Sequence, residues 1–206
     1  ANRPRLVIMV KEPVAGRVTT RLGRDIGVSR ATGFYRQTLA AVTTRLARDC
    51  RWQTLLSVAP AVALRSNTLP VALPRIPQNG GDLGQRMQAI FDLGGRGPVV
   101  VIGTDIPEVA PHHIADAFRV LGRNDVVFGP AVDGGFWLVG MRRTPRLVDL
   151  FHDVRWSTAD TLRDCLDGLR RQPSVTVELV ATLSDADDRR DLARVAHAIG
   201  RRVLPA

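Results

Sequence analysis

The run Pro98-Val99-Val100-Val101-Ile102-Gly103 constrains this chain more than any other stretch. Four successive β-branched residues favour an extended strand. The lack of polar alternation means that both faces of that strand are covered, as in a parallel sheet flanked by helices. Elsewhere strand-like and helix-like segments alternate. Leu6–Val10, Gln53–Val58, Val71–Leu73, Asp125–Phe128, Phe136–Met141 and Val175–Leu183 read as strands. Helical periodicity runs from about Asp25 to Asp49 through Ile26, Phe34, Leu39, Val42 and Leu46. A second apolar stripe (Leu83, Met87, Ile90, Phe91) marks a helix from Asp82 to about Leu93. Pro111 opens a helix to Leu121 at a position where its missing N–H costs nothing. Further helices are expected at Pro145–Phe151, Thr158–Leu169 and Asp188–Gly200, while Ala61–Ser66 fits neither period. The alternation predicts an α/β fold: a single doubly wound domain over residues 1–206, with a mostly parallel central sheet and helices on both faces.

Composition narrows the function classes. Hydrophobic residues make up 45% and charged residues 24% of 206 positions, which excludes a disordered, collagen-like or coiled-coil chain. No apolar run approaches the length of a membrane span. The five apolar residues after Ala1–Arg5 are too few for the core of a secretory signal. Cys50 and Cys165 lie far apart without CxxC spacing, as expected for free thiols in a cytoplasmic protein. The net charge of +9 raises nucleic acid as a partner. The arginine pairs 142–143, 170–171, 189–190 and 201–202 are scattered, aromatics are 5%, and no nucleic-acid-binding motif occurs. A nucleic-acid partner is therefore not expected.

Open parallel sheets bind ligands at the carboxyl ends of their strands. Three such ends carry notable residues. The segment Lys11–Leu22 (KEPVAGRVTTRL) combines Lys11, Arg17 and Arg21 with Gly16, a set able to approach and neutralise a phosphate. Lys11 is the only lysine among 29 basic residues, which suggests a need for a compact point charge at this strand end. The same segment also reads as a solvated basic loop, and it matches neither of the common glycine-rich nucleotide motifs. Gly103-Thr104-Asp105-Ile106-Pro107 follows the strongest strand. A carboxylate there is placed to hold Mg²⁺ or Mn²⁺ against phosphate oxygens, whereas a capping role is disfavoured because the next helix starts only at Pro111. Gly129–Trp137 contains Asp133-Gly134-Gly135, which reads equally as a turn or as a ligand wall. Asp185, Asp187 and Asp188 offer either a cap for the last helix or a second metal carboxylate. The four histidines lack metal-ligand spacing and suit surface or capping roles, and Ser157 suits a cap for the following helix beside Trp156.

Six ordered segments together carry a resemblance: KEPVAGRVTTRL, GGDLGQRM (Gly80–Met87), GTDIP (Gly103–Pro107), GPAVDGGFWLVG (Gly129–Gly140), RWS (Arg155–Ser157) and DADDRRDL (Asp185–Leu192). In this order they resemble the radical-SAM/selenodomain-associated transferases, also described as arsenosugar-biosynthesis-type glycosyltransferases. That family falls in the GT-A nucleotide-diphospho-sugar transferase superfamily. The resemblance implies a Rossmann-like GT-A fold. It places Lys11, Gly16, Arg17, Arg21, Asp82 and Arg86 near nucleotide and phosphates, and Asp105 and Asp187 on a divalent metal. It places Gly134, Gly135, Phe136 and Trp156 around a sugar or acceptor, with Asp133 as the candidate catalytic carboxylate. One departure is Thr19, which stands where the family pattern has lysine.

The expected activity is metal-dependent glycosyl transfer from a nucleotide-diphosphate sugar to a small-molecule acceptor. The alternatives are nucleotidyl transfer from a nucleoside triphosphate with release of pyrophosphate, and a non-catalytic nucleotide-binding protein.

Overall fold

The computed structural model describes residues 3–70 and 72–184. Seven strands form one sheet: β1 (Arg5–Lys11), β2 (Gln53–Ala59), β3 (Arg75–Pro77), β4 (Val99–Ile102), β5 (Val126–Pro130), β6 (Phe136–Met141) and β7 (Val177–Leu179). Their order across the sheet is β3-β2-β1-β4-β6-β5-β7. Every neighbouring pair is parallel except those made by β6, which runs antiparallel to both β4 and β5. The mostly parallel α/β sheet expected from the sequence is the observed architecture, and none of its helices is long and apolar enough to cross a membrane among the described residues.

Strand β4 shows why the Val99–Ile102 run matters. Val100 and Ile102 pack into one apolar cluster with helices α2 (Val28–Ala47) and α4 (Pro111–Leu121). Val99 and Val101 pack into a second cluster with α3 (Leu83–Asp92) and α5 (Thr161–Arg170). All four side chains are at most 3% exposed. Each such burial is worth about 1.5–3 kcal/mol, so the two covered faces hold the strand at the centre of the sheet.

Several elements depart from the sequence reading. The helix expected from Asp25 to Asp49 is two helices, α1 (Thr20–Ile26) and α2. Gly27 separates them with φ +89°, a conformation that ends one helix before the next begins. The third strand forms at Arg75–Pro77, after the expected Val71–Leu73 run, and residues 61–65 form a short 3-10 helix. No helix forms at 145–151, although Val148 and Leu150 are buried against the α3 face. The late strand shrinks to Val177–Leu179. The helix expected at Asp188–Gly200 lies outside the described residues, as do Asp185, Asp187 and Asp188.

Candidate functional site

Strand direction gathers the candidate residues at one edge. Ile8 of β1 lies beside Ile102 of β4, so Lys11 and the 103–107 turn leave the sheet from the same edge. Leu138 of antiparallel β6 also pairs with Ile102, and Gly129 of β5 pairs with Leu138. The connection 131–135 therefore emerges at that edge too. These ends border a cleft of about 1010 Å³. Of the residues singled out in the sequence, Lys11, Arg21, Asp82, Arg86, Asp105, Asp133, Gly135, Phe136 and Trp156 line it.

Lys11 closes β1 and is exposed. The chain then turns through Gly16, at φ +79°, into α1, whose first turn brings Arg21 to the cleft. Gly16 lies instead at a neighbouring hollow of about 140 Å³, and Arg17 is exposed outside both lining sets. Thr19 lines the cleft in a left-handed conformation (φ 45°), and its hydroxyl donates to the Ala31 carbonyl at 3.1 Å. A side chain tied to α2 in this way does not stand in for a phosphate-binding lysine.

Asp105 is exposed at the mouth of β4 between buried Thr104 and Ile106. The Thr104 hydroxyl approaches the Asp105 Oδ1 at 3.3 Å and the Tyr35 hydroxyl at 3.4 Å. Tyr35 sits on α2 at 6% exposure, accepts the Lys11 main-chain N–H at 2.9 Å and donates to the Lys11 carbonyl at 3.0 Å. Burial raises its pKa above the ordinary phenol value, outweighing the hydrogen bonds from Thr104 and Lys11. The phenol is thus a neutral hydroxyl joining two strand ends.

Asp82 lines the cleft and also caps a helix. Its Oδ1 accepts the Gln85 N–H at 2.8 Å, while the Gln85 side chain accepts the Asp82 N–H at 3.0 Å. That reciprocal pair caps α3. Arg86 lies one turn further on, its Nε donating to the Gly81 carbonyl at 2.8 Å.

Also in the cleft lining, Phe136 meets Trp156 edge-on at 6.4 Å, and Trp156 meets Phe151 at 5.6 Å. A Cβ on Gly84 of α3 would fall 2.5 Å from the Trp156 ring, so that glycine admits the indole. The Trp156 segment is held by Arg155, whose Nε and Nη2 bond both oxygens of Asp164 at 2.8 and 2.7 Å. Those bonds push the Asp164 carboxyl down to about 2. Ser157 adopts φ +61° and lines the cleft, but α5 begins at Thr161, so Ser157 is not its cap. Asp133 is exposed; its Oδ1 accepts the Gly135 N–H at 2.9 Å. Gly134 faces Ala159, where a Cβ would lie 2.1 Å from the carbonyl oxygen. The turn reading of Asp133–Gly135 is therefore realised in a turn that also borders the cleft.

Among the described residues, no three His, Cys, Asp or Glu side chains gather to hold a metal. Asp105 alone still suits a divalent ion whose other ligands are phosphate oxygens and water, the usual manner of Mg²⁺. Cys50 and Cys165 are free thiols. The His113 Nδ1 accepts the Ala110 N–H at 3.1 Å, the capping role expected at that helix start.

Residues 38–158 match a family model described as "Uncharacterized protein conserved in bacteria (DUF2064)". The chain belongs to DUF2064. This DUF2064 chain also matches a solved structure from Desulfovibrio desulfuricans G20, provisionally named a nucleotide-diphospho-sugar transferase. The two are 30% identical over 93% of this chain and 85% of that one, with a TM-score of 0.83. More distant matches share the fold alone. One is CMP:2-keto-3-deoxy-manno-octonic acid synthetase complexed with CTP, 11% identical with a TM-score of 0.58 over 97% of this chain and 99% of that one. Another is a Mycobacterium tuberculosis H37Rv protein in complex with manganese, 17% identical with a TM-score of 0.52 over 96% and 99%. No curated protein matches the DUF2064 chain in sequence.

Proposed function

We propose that this DUF2064 chain is a divalent-metal-dependent transferase that takes a nucleotide-diphosphate sugar and passes the sugar to a small acceptor. The observation that carries this reading is the convergence of Lys11, Arg21 and Asp105 on one cleft at the carboxyl edge of β1 and β4. Cations facing one space with the strand-end carboxylate of Asp105 suit a diphosphate with its Mg²⁺ or Mn²⁺. The six ordered sequence segments support the arsenosugar-type branch, and the 30% identical Desulfovibrio structure supports a nucleotide-sugar donor. Asp105 is the ligand for the metal, with Asp187 as the second carboxylate; the ion when bound neutralises the diphosphate.

The chain's own residues divide the chemistry. As the acceptor oxygen bonds the anomeric carbon, the bond from that carbon to the diphosphate breaks and its electron pair leaves with the diphosphate. Lys11, Arg21 and Arg86 share the charge that develops there. Phe136 and Trp156 wall the sugar or acceptor, and Asp133, at the turn bordering them, takes the acceptor proton.

A second reading is favoured by one observation: the CTP-bound synthetase has the same fold. In it, an acceptor phosphate attacks a nucleoside triphosphate and pyrophosphate leaves. Incubation with Mn²⁺ and panels of sugar nucleotides or nucleoside triphosphates separates the two. Release of nucleoside diphosphate, lost in Asp105→Asn, is the expected outcome; release of pyrophosphate would sink glycosyl transfer.

A further inference from the structure

We infer that Tyr35 and Thr104 form a hydroxyl pair that sets the position of Asp105 relative to Lys11. This rests on the proposed reading of Asp105 as a metal ligand. The ladder between β1 and β4 ends at Ile8 and Ile102, so Lys11 runs on past the end of β4. At that point the Tyr35 hydroxyl accepts the Lys11 N–H and donates to the Lys11 carbonyl. One phenol from α2 thereby continues the pairing that β4 has ceased to supply.

The same oxygen faces Thr104, which is 2% exposed. A threonine hydroxyl carries one proton. Since the Tyr35 proton is directed to the Lys11 carbonyl, the phenol oxygen is an acceptor for Thr104. The Asp105 Oδ1 stands at nearly the same distance on the other side, 3.3 Å against 3.4 Å. The single Thr104 proton therefore faces two acceptors and is shared between the phenol oxygen and the Asp105 carboxylate in a three-centre contact from a buried hydroxyl. The bridge fixes where the carboxylate stands against the cation-bearing strand end. Asp105 itself is exposed and on a turn, and the buried Thr104 hydroxyl is one restraint on its rotamer.

Tyr35 and Thr104 are positioning residues, and the probe for them is inorganic pyrophosphate with and without Mn²⁺. Pyrophosphate carries the diphosphate common to every nucleotide donor considered. Calorimetric titration gives the ratio of affinities with and without the metal. That ratio is expected to fall about tenfold in Tyr35→Phe and in Thr104→Val, and to return in Thr104→Ser. A purely structural role would lower both affinities together and leave the ratio unchanged. Tyr35→Phe keeps the ring in its buried place, and Thr104→Val keeps the shape, so each variant checks the other if one fails to fold. An undiminished ratio in both folded variants overturns the positioning role alone. A wild-type chain with no Mn²⁺ dependence overturns the metal reading and this inference with it.

Discussion

At the scale of single residues, the strand ends were the most legible part of the site. Lys11 and Asp105 stand next to continuous apolar strands, so their place at the sheet edge follows from the pattern. Tyr35 did not show in the same way. Its spacing fits the buried face of α2, and a buried tyrosine in a helical stripe reads as core until its hydroxyl partners are seen. Gly134 is the converse: its sequence reads equally as a turn or a pocket wall, and its lack of a side chain serves contact between the 131–135 turn and Ala159. The Gly134 carbonyl also accepts the Leu162 N–H at 3.1 Å, which ties that turn to the start of α5. Gly134→Ala combines a positive φ of +89° with a Cβ 2.1 Å from backbone. It is expected to cost about 2–4 kcal/mol, from strain and overpacking together. Urea unfolding measures this; a loss below about 0.5 kcal/mol would show that the turn relaxes freely.

At the scale of elements, the period of a segment was legible but not its direction. Phe136–Met141 reads as a strand, and only the five-residue link 131–135 reveals that it must run antiparallel, because a parallel crossover needs a dozen residues or more. The break at Gly27 was hidden because the apolar spacing continues across it. Helix α3 was legible but its Asp82 cap was not read in the sequence, and that cap leads to a prediction. Asp82→Ala is expected to lose about 1 kcal/mol of stability, with Asp82→Asn close to wild type, as read by urea unfolding. An Asp82→Asn variant with sharply weaker pyrophosphate affinity would instead support a phosphate-binding role for this position. The clamp on the Trp156 segment leads to another prediction. The folded Asp164 carboxyl lies at about 2, below its ordinary 3.8, so it favours the folded state wherever it is ionised. Its contribution is present above pH about 4 and disappears as the pH falls toward about 2. Unfolding midpoints taken along that range are expected to fall more steeply for wild type than for Asp164→Asn. Because Arg155 holds Trp156, tryptophan emission is expected to change over the same interval; parallel titrations of the two proteins would dissociate Asp164 from the effect.

At the scale of the whole molecule, the net charge of +9 is a weaker guide than the place of a few cations. Many of the arginines pair locally and away from the cleft, as Arg51 does with Asp49, Arg119 with Asp116 and Arg170 with Asp167. Lys11 and Arg21 instead share the cleft with Asp105. The two patterns predict different salt dependence. A ligand held by two or three cations releases few counterions, so raising salt from about 50 to about 200 mM is expected to weaken pyrophosphate binding by about tenfold or less. Attraction of a single-stranded nucleic acid to the scattered arginines involves many phosphates and is expected to fall by about 10³ or more over the same range. Lys11→Gln separates the two further. It removes one charge of many from the surface but the point charge at the end of β1, so it is expected to weaken pyrophosphate binding at least tenfold and leave nucleic-acid retention nearly unchanged. Filter binding for the nucleic acid and calorimetry for pyrophosphate supply both curves. If Lys11→Gln reduced the two equally, the cleft would be one part of a general basic surface, and the case for a small diphosphate ligand would lose its footing.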